Sequence, residues 1–221
     1  IRNPETFIDN LPSKPDIIVL LAMPSVKPGK RLNKAKKAEL RNETNDFFRN
    51  SINLALKFDI PVILPGGTSF QTESNEIADE TWSIYRKGIS EIGMDTDQMV
   101  ENAFKNNSPK AIQLIFGKIY GNGGLFRFSY NMMKKGKAMI IGEGDNCIPN
   151  IHAGDAAEAV VKAIEKLPFG EKFIITDDTS VNQKDFNTYM AQLMGINKIG
   201  HIPGFIVRLA LGKDFYEVVK M

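Results

Sequence analysis

Four strand-sized segments set the strongest constraint on the fold of this chain. They are Asp16–Ala22 (DIIVLLA), Pro61–Gly67 (PVILPGG), Ala111–Gly117 (AIQLIFG) and Lys172–Asp178 (KFIITDD). The first three read as continuous apolar runs, which is typical of strands buried on both faces of a parallel sheet. The stretches between the segments are long enough for crossover helices. The sequence therefore predicts the α/β class, with a Rossmann-like, doubly wound parallel sheet.

Apolar residues at helical spacing predict a helix from about Lys34 to Phe58, whose apolar side carries Leu40, Phe47, Phe48, Ile52 and Leu56. A second helix is predicted from Thr81 to about Asn106. After Gly121, short apolar patches between glycines predict loops and small strands that form a separate lobe. Three more helices are predicted toward the C-terminus: one capped by Asp155 and ending at Lys166, one over Gln183–Met194 capped by Asn182, and a stretch after Pro203.

Composition excludes several classes of protein. With 28 basic and 26 acidic residues, the chain lacks the charge footprint of a nucleic-acid-binding protein. No apolar run is long enough to span a membrane, and no signal peptide is visible. A single cysteine, Cys147, predicts a reducing, cytoplasmic environment. His152 and His201 lie too far apart for a zinc motif, so no metal site is predicted.

The Asp16–Ala22 segment also presents a conflict. As the first strand it would form one edge of the sheet, and a flat apolar edge without charges is an aggregation hazard that proteins avoid. We therefore expect further strands beside it, which were removed, are disordered, or come from another chain. The first residue, Ile1 rather than Met, agrees with an upstream part of the gene product.

Five segments follow one another along the chain: DIIVLLA, VILPGGT, FGKIYGNGG (Phe116–Gly124), GEGDNCIPNIHAGDAAEA (Gly142–Ala159) and FIITDDTSVNQKDFNTYMAQLMG. In this order and spacing they resemble the extended short-chain dehydrogenase/reductase family, the NAD-dependent epimerases and dehydratases of nucleotide sugars. The resemblance covers nearly the whole chain but begins at the family's fourth strand. It implies NAD or NADP as cofactor, a nucleotide sugar or related hydroxyl or carbonyl compound as substrate, and hydride transfer as the reaction.

The family's glycine-rich phosphate loop, which lies on its first strand, has no counterpart in these residues. Gly121–Gly124 and Gly142–Gly144 lack the strand–loop–helix context of a dinucleotide fingerprint. The resemblance thus assigns residues 1–120 and 150–180 to the remainder of the NAD(P)-binding domain. It assigns residues 121–149 and 181–221 to a small substrate-binding lobe. It also implies a homodimer formed through the predicted helices that begin at Lys34 and Thr81.

The family's catalytic pair is a Tyr followed four residues later by a Lys on one helix. The Lys stabilises the phenolate and binds the nicotinamide ribose. Matching Lys87 and Glu91 to the family places Ser83 at the Tyr position. In a helix that begins at Thr81, Ser83 and Lys87 share a face, whereas Tyr85 does not share a face with Lys87. A serine hydroxyl is a far weaker acid than a phenol.

Three interpretations of this departure remain open. Tyr85 supplies the phenol if the helix begins later than predicted. Alternatively, another acid–base group or a relayed water takes the role. In the third interpretation, the protein binds cofactor as a catalytically silent or interaction protein. A Ser–Lys hydrolase is a fourth, remote reading of Ser83 and Lys87, and the α/β pattern does not fit the fold of those enzymes.

The resemblance implies further site residues. Thr68 would orient the substrate oxygen, with Ser69 beside it, while Gly66 and Gly67 would let a ligand approach the backbone. His152 is expected to fix the junction between the lobe and the sheet. Candidate cofactor contacts are Leu21, Ala22, Met23, Phe116, Gly117, Lys118 and Ile119, and candidate substrate contacts are Asn122 and Arg127.

Overall fold

The computed structural model describes residues 11–22, 32–70, 76–137 and 139–220. Its strands are β1 (Ile18–Val19), β2 (Val62–Gly67), β3 (Ala111–Phe116), β4 (Lys118–Tyr120), β5 (Met139–Ile141), β6 (Cys147–Ile148), β7 (Asn150–His152), β8 (Lys172–Ile175), β9 (Val181–Asn182) and β10 (Gly200–Ile202). Its α-helices are α1 (Lys34–Phe58), α2 (Met94–Asn106), α3 (Gly124–Lys134), α4 (Ala153–Lys166), α5 (Gln183–Leu193), α6 (Gly204–Leu211) and α7 (Lys213–Lys220). A 3-10 helix, Gly88–Gly93, precedes α2.

The central sheet is parallel and has the order β1-β2-β3-β8. Ile18 pairs with Val62, Val62 pairs with Ala111, and Gln113 pairs with Lys172. One apolar cluster lies under α1 and α2 and includes Phe48 and Val100. A second cluster on the opposite face includes Ile112 and Ala163 of α4. Helices thus cover both faces, so the predicted doubly wound α/β sheet is confirmed.

Three small two-stranded sheets surround the C-terminal part of the chain. The strand β4 pairs with β7 and β5 pairs with β10, both in parallel, whereas β6 pairs antiparallel with β9. The helix α3 was not predicted, because the glycines around it indicated loops. It carries Met133 as its buried side chain, so a short apolar stripe was enough to form it.

The predicted strand Asp16–Ala22 is shorter than expected. Only Ile18 and Val19 have strand geometry, and among the described residues they pair with β2 alone, so β1 forms an edge of the sheet. Leu20 is 2% exposed, whereas Leu21 is 60% exposed. The strand is therefore shorter than predicted, but its side chains pack on both faces of the sheet: Ile18 joins the cluster with Phe48, and Val19 joins the cluster with Ile112.

The helix predictions were right in part. The helix α1 has the predicted bounds, with Asn33 as its cap, and Asn182 caps α5 as predicted. Asp155 is not a cap, because His152 caps α4 three residues earlier, through an Nδ1 that accepts the Gly154 N–H. A helix follows Pro203 as predicted, although a break at Gly212 divides it into α6 and α7.

Helices α1 and α2 are joined by a polar contact at Asp95. Arg41 donates from Nε at 2.8 Å to one carboxylate oxygen of Asp95 and from Nη2 at 2.5 Å to the other. Asn45 adds a third bond at 2.5 Å. These bonds, chiefly that from Arg41, lower the pKa of Asp95 from 3.8 to about 2.

The low pKa of Asp95 predicts a loss of stability in acid. A carboxyl group whose pKa is lower in the folded state stabilises the fold above its unfolded pKa, near 4, and loses this contribution as the pH falls to about 2. Because the Asp95 side chain is 39% exposed, we expect less than about 1 kcal/mol. Urea unfolding at pH 4.5 and pH 2.5 should show a smaller pH dependence for Asp95→Asn than for the native chain. Asp46→Asn, which affects an exposed pair with Arg49 on α1, is the control; an equal change in both variants would contradict the prediction.

Candidate functional site

The candidate site lies at the carboxyl ends of the parallel strands, the edge at which open α/β sheets bind ligands. Leu21 and Ala22 follow β1 and are exposed. Gly67 ends β2 and pairs with Phe116 at the end of β3. The Thr68 N–H donates to the Phe116 carbonyl at 3.1 Å. The fold therefore brings these predicted residues to one edge; Met23 lies outside the described residues.

Residues 81–87 lie beside this edge and are not the opening of a helix: a turn at Thr81 leads into residues 83–87, which have no regular secondary structure and end in an extended Lys87. Ser83, Tyr85 and Lys87 are exposed, and the residues between them are half-buried. The backbone N–H of Tyr85 donates to the Ser69 carbonyl at 2.5 Å. The segment thus runs directly against the chain that follows β2.

This geometry corrects the predicted arrangement of the catalytic pair. The α-helix begins only at Met94, so Ser83 and Lys87 do not form a stripe of a helix. In an extended chain, residues two apart point the same way. Tyr85 and Lys87 therefore lie on one side of the segment, whereas the sequence had placed them on different faces. The helix α2 contains no tyrosine, so among the described residues of this edge Tyr85 carries the phenol nearest to Thr68 in the chain.

Lys87 has an ionic partner on the C-terminal helix α7. Its Nζ lies 2.9 Å from a carboxylate oxygen of Glu217, and this contact, with a smaller contribution from Tyr85, raises the pKa of Lys87. Asp214 of α7 also pairs with Lys37 at 2.8 Å. A side chain at Gly88, whose φ is +66°, would meet the Asp214 carbonyl at 2.3 Å. The helix α7 is thus fitted closely against the turn that follows Lys87.

Arg86 and Asp97 form a half-buried pair that the sequence did not reveal. Arg86 donates from Nε and from Nη2 to the two carboxylate oxygens of Asp97, each at 2.7 Å. Its guanidinium also lies 3.0 Å from the position that a Cβ on Gly93 would occupy. A bidentate pair of this kind fixes the extended segment against the start of α2. The sequence signal for this pair was the position of Arg86 in TWSIYRK, two and four residues after the apolar Ile84 and Trp82, which places all three on one side.

The predicted cofactor segment Phe116–Ile119 crosses from β3 to β4. The Gly117 N–H donates to the Ile175 carbonyl at 2.9 Å, and the Lys118 N–H donates to the Pro149 carbonyl at 2.6 Å. Lys118 and Ile119 are exposed at this crossing. Desolvation nevertheless lowers the pKa of Lys118, because protein groups surround its ammonium although the residue as a whole is accessible.

Two pairs of residues lie further along this side. The predicted substrate contacts Asn122 and Arg127 are exposed, and Nη1 of Arg127 donates to the Asn122 side-chain oxygen. His152 caps α4, and its ring packs edge-on against Tyr120 at 5.3 Å between centroids. Burial, with nearby Asp177, raises the pKa of Tyr120. Tyr120 is therefore a poorer proton donor than an ordinary phenol.

The described residues contain neither a candidate metal site nor a membrane-spanning helix. No group of three or more His, Cys, Asp or Glu side chains there could hold a metal ion. In the same part of the chain, no helix combines the length and apolar character required to cross a bilayer.

Comparisons of the coordinates with solved structures identify the fold. The chain has the Rossmann-like fold of the NAD(P)-linked epimerases, dehydratases and reductases, as the sequence predicted. The human epimerase family protein SDR39U1, solved with NADPH, aligns over 98% of this chain and 75% of its own, with a TM-score of 0.78 and 19% identity.

Two other solved enzymes give the same result. The UDP-glucose 4-epimerase of Thermotoga maritima, solved with UDP-glucose, covers 91% of this chain and 69% of its own, with a TM-score of 0.70 and 16% identity. The dTDP-glucose 4,6-dehydratase of Bacillus anthracis, solved with NAD, covers 91% and 65%, with a TM-score of 0.72 and 17% identity. No family model matches the sequence. A search of curated proteins also found no match.

Proposed function

We propose that this chain belongs to an NAD(P)-dependent oxidoreductase or epimerase that acts on a hydroxyl or carbonyl group of a nucleotide sugar. The observation that carries the proposal is the sheet edge where Thr68, Tyr85 and the Phe116–Ile119 backbone meet. In the solved structures that share the fold, proteins are seen with NADPH, NAD and UDP-glucose.

The residues at the edge fit the nicotinamide half of such a cofactor. A Cβ on Gly67 would meet nothing within 4 Å, so the backbone there is open to a close approach. Leu21 and Ala22 present an exposed apolar surface after β1, where the adenosine side of the cofactor would lie. Lys118 and Ile119 would form the opposite wall. When bound, the cofactor accepts or donates the hydride.

In the proposed chemistry, Thr68 orients the substrate oxygen and Tyr85 exchanges its proton. Oxidation of the substrate breaks its C–H and O–H bonds, so that the hydride passes to the nicotinamide and the proton to the Tyr85 oxygen. Lys87, on the same side of the segment, would bring a positive charge close to the Tyr85 oxygen. For Lys87 to contact a ribose instead, its ion pair with Glu217 must open. Ser83, Ser69, Asn122 and Arg127 remain proposed substrate-side residues.

Two observations favour a second candidate, a protein that binds the cofactor without turnover. Lys87 already forms an ion pair with Glu217. The helix α2 contains no tyrosine one turn before a lysine. Binding without turnover is the behaviour expected of such a protein. The Ser–Lys hydrolase is not favoured, because Ser83 and Lys87 are four residues apart instead of the three of an S-x-x-K pair, and they do not lie on a helix.

Three further proposals complete this interpretation. Residues 1–120 and 150–180 would form the cofactor domain, and residues 121–149 and 181–221 the substrate lobe. Two copies would pair through α1 and α2, by analogy with the family. The protein would act in the cytoplasm, in keeping with its single cysteine.

Titration with NADPH and NAD tests the cofactor. The full-length protein that carries this chain should bind at least one of them, as measured by calorimetry. Because the space beside Gly67 is open, Gly67→Leu should fold normally yet weaken cofactor binding about tenfold or more, which corresponds to about 1.4 kcal/mol. Gly123→Ala, at an exposed position with nothing within 4 Å, is the control and should bind as the native protein does.

The reaction is then tested by absorbance of the reduced nicotinamide in the presence of nucleotide sugars. Turnover that Tyr85→Phe abolishes, at unchanged cofactor affinity, would support the enzyme. Cofactor binding without turnover of any nucleotide sugar would support the second candidate. If neither cofactor binds the full-length protein, both candidates are wrong.

A further inference from the structure

A small cavity lies between the β4–β7 pair and the helices α3 and α5. Its volume is about 30 Å³. Asn150 lines it and is 3% exposed. Ser129 and Asn187 add polar groups to its wall, and Lys118 lies at its exposed end.

The Asn150 side chain has no partner of its own. Neither its amide oxygen nor its amide nitrogen forms a hydrogen bond among the described residues, although both atoms are buried. An unsatisfied buried polar group costs about 1–3 kcal/mol, and native proteins rarely leave one. Both atoms of this amide are therefore available to a group from outside the described residues.

The backbone holds this amide in place. Asn150 pairs in register with Lys118 across the parallel β4–β7 ladder, so the two side chains project from the same face. Its carbonyl accepts the Asp177 N–H at 2.6 Å. These backbone contacts fix the position from which the Asn150 side chain projects into the cavity.

The polar wall of the cavity selects the chemistry of its occupant. The space is large enough for a water molecule or a hydroxyl group. An amide presents one acceptor and two donor hydrogens, and a hydroxyl, which both donates and accepts, satisfies it.

The cavity adjoins the proposed cofactor edge. Lys118 and Ile119 belong both to its wall and to the crossing segment after β3. On another side, the rings of Tyr120, Phe126 and Phe186 pack on one another with centroids 6.0–6.5 Å apart. Aromatic faces beside a hydroxyl-binding amide suit the apolar C–H face and polar rim of a sugar ring.

We propose that Asn150 forms a subsite for one hydroxyl group of a sugar ligand, which a water molecule fills in the free protein. This inference rests on the proposed function for the class of ligand, and Asn150 is a positioning and specificity residue in it. The ammonium of Lys118, whose pKa is already lowered by desolvation, would lie beside the bound hydroxyl.

Calorimetric titration of the full-length protein with UDP-glucose and with UDP tests the subsite. Asn150→Leu removes the amide without enlarging the cavity. It should weaken UDP-glucose binding about tenfold and leave UDP binding unchanged, because only the sugar reaches the subsite. Asn150→Asp, which keeps the shape but loses the donor, should also lower the UDP-glucose affinity. Asn102→Leu, at an exposed position on α2, should change neither.

Several outcomes would overturn the subsite. It is wrong if Asn150→Leu binds UDP-glucose as tightly as the native protein, or if it loses UDP and UDP-glucose equally. It is also wrong if the native protein gains nothing from the sugar, since the occupant is then water alone. Melting temperatures of all variants distinguish a lost contact from lost folding. Because these readouts need no NADPH or NAD, a failure of cofactor binding contradicts the proposed function separately.

Discussion

Replacing Leu54 by Ala is expected to lower the free energy of unfolding by about 2–5 kcal/mol. Leu54 is 4% exposed on α1 and packs with Ile60 against Ile18 of the edge strand β1. Removing three carbons there loses the burial of the side chain and leaves a cavity that the surrounding residues fill only in part. Urea unfolding followed by circular dichroism measures the effect.

Leu56 supplies the matched control for this experiment. It is the same residue type on the same helix, but two positions away it points to the other side and is 45% exposed. Leu56→Ala should change stability by no more than about 0.5 kcal/mol. Equal losses in the two variants would show that the face of α1 is assigned wrongly.

The two leucines also show what the sequence could predict. The alternation of apolar strands and long helices predicted the sheet, its parallel strands and the bounds of α1, because these depend on repeated local patterns. It placed Leu56 on the buried side and missed Leu54. The buried stripe of α1 includes Thr44, Asn45 and Ser51, so its position depends on contacts with α2 and not on hydrophobicity alone.

The site was predicted less completely than the fold. The strand ends that carry Thr68, Gly67 and Phe116 follow from the strand pattern, and the fold places them together. The conformation of residues 81–87 could not be predicted in this way. Their sequence, TWSIYRK, fits both the spacing of residues on a helix and the alternation of exposed and half-buried residues that the structure shows. Tertiary contacts decide it: the Arg86–Asp97 pair holds the segment against α2, and the bond from Tyr85 to Ser69 holds it against the chain that follows β2.

Asn150 is a residue that the sequence could not single out. It lies within the GEGDNCIPNIHAGDAAEA segment that carries the resemblance, but nothing in that segment marks its side chain as a ligand contact. Its role depends on an absence of partners that only the packing of α3 and α5 against β7 creates. For residues that lie where several elements pack together, the structure reveals contacts that the sequence does not predict.

The contact between the Phe116–Ile119 segment and the backbone before β7 can be tested at Gly117. A side chain there is expected to disrupt both stability and ligand binding. A Cβ at this position would lie 2.4 Å from the Pro149 carbonyl oxygen and 3.1 Å from Cγ2 of Thr176. The carbonyl belongs to the backbone that leads into β7 and accepts the Lys118 N–H, so it cannot rotate away. Gly117→Ala should therefore destabilise the protein by about 1–3 kcal/mol.

The same displacement would move Asn150, the residue after Pro149, and the wall formed by Lys118. We expect Gly117→Ala to weaken the binding of UDP-glucose and of the cofactor together, under conditions in which the variant is still folded. Gly123→Ala, whose φ of −174° suits any residue and whose Cβ meets nothing within 4 Å, should leave stability and binding unchanged. Native stability and affinity in Gly117→Ala would show that Gly117 and the Pro149 carbonyl lie further apart than the structure indicates. The wall shared by the cofactor edge and the Asn150 cavity would then be wrong.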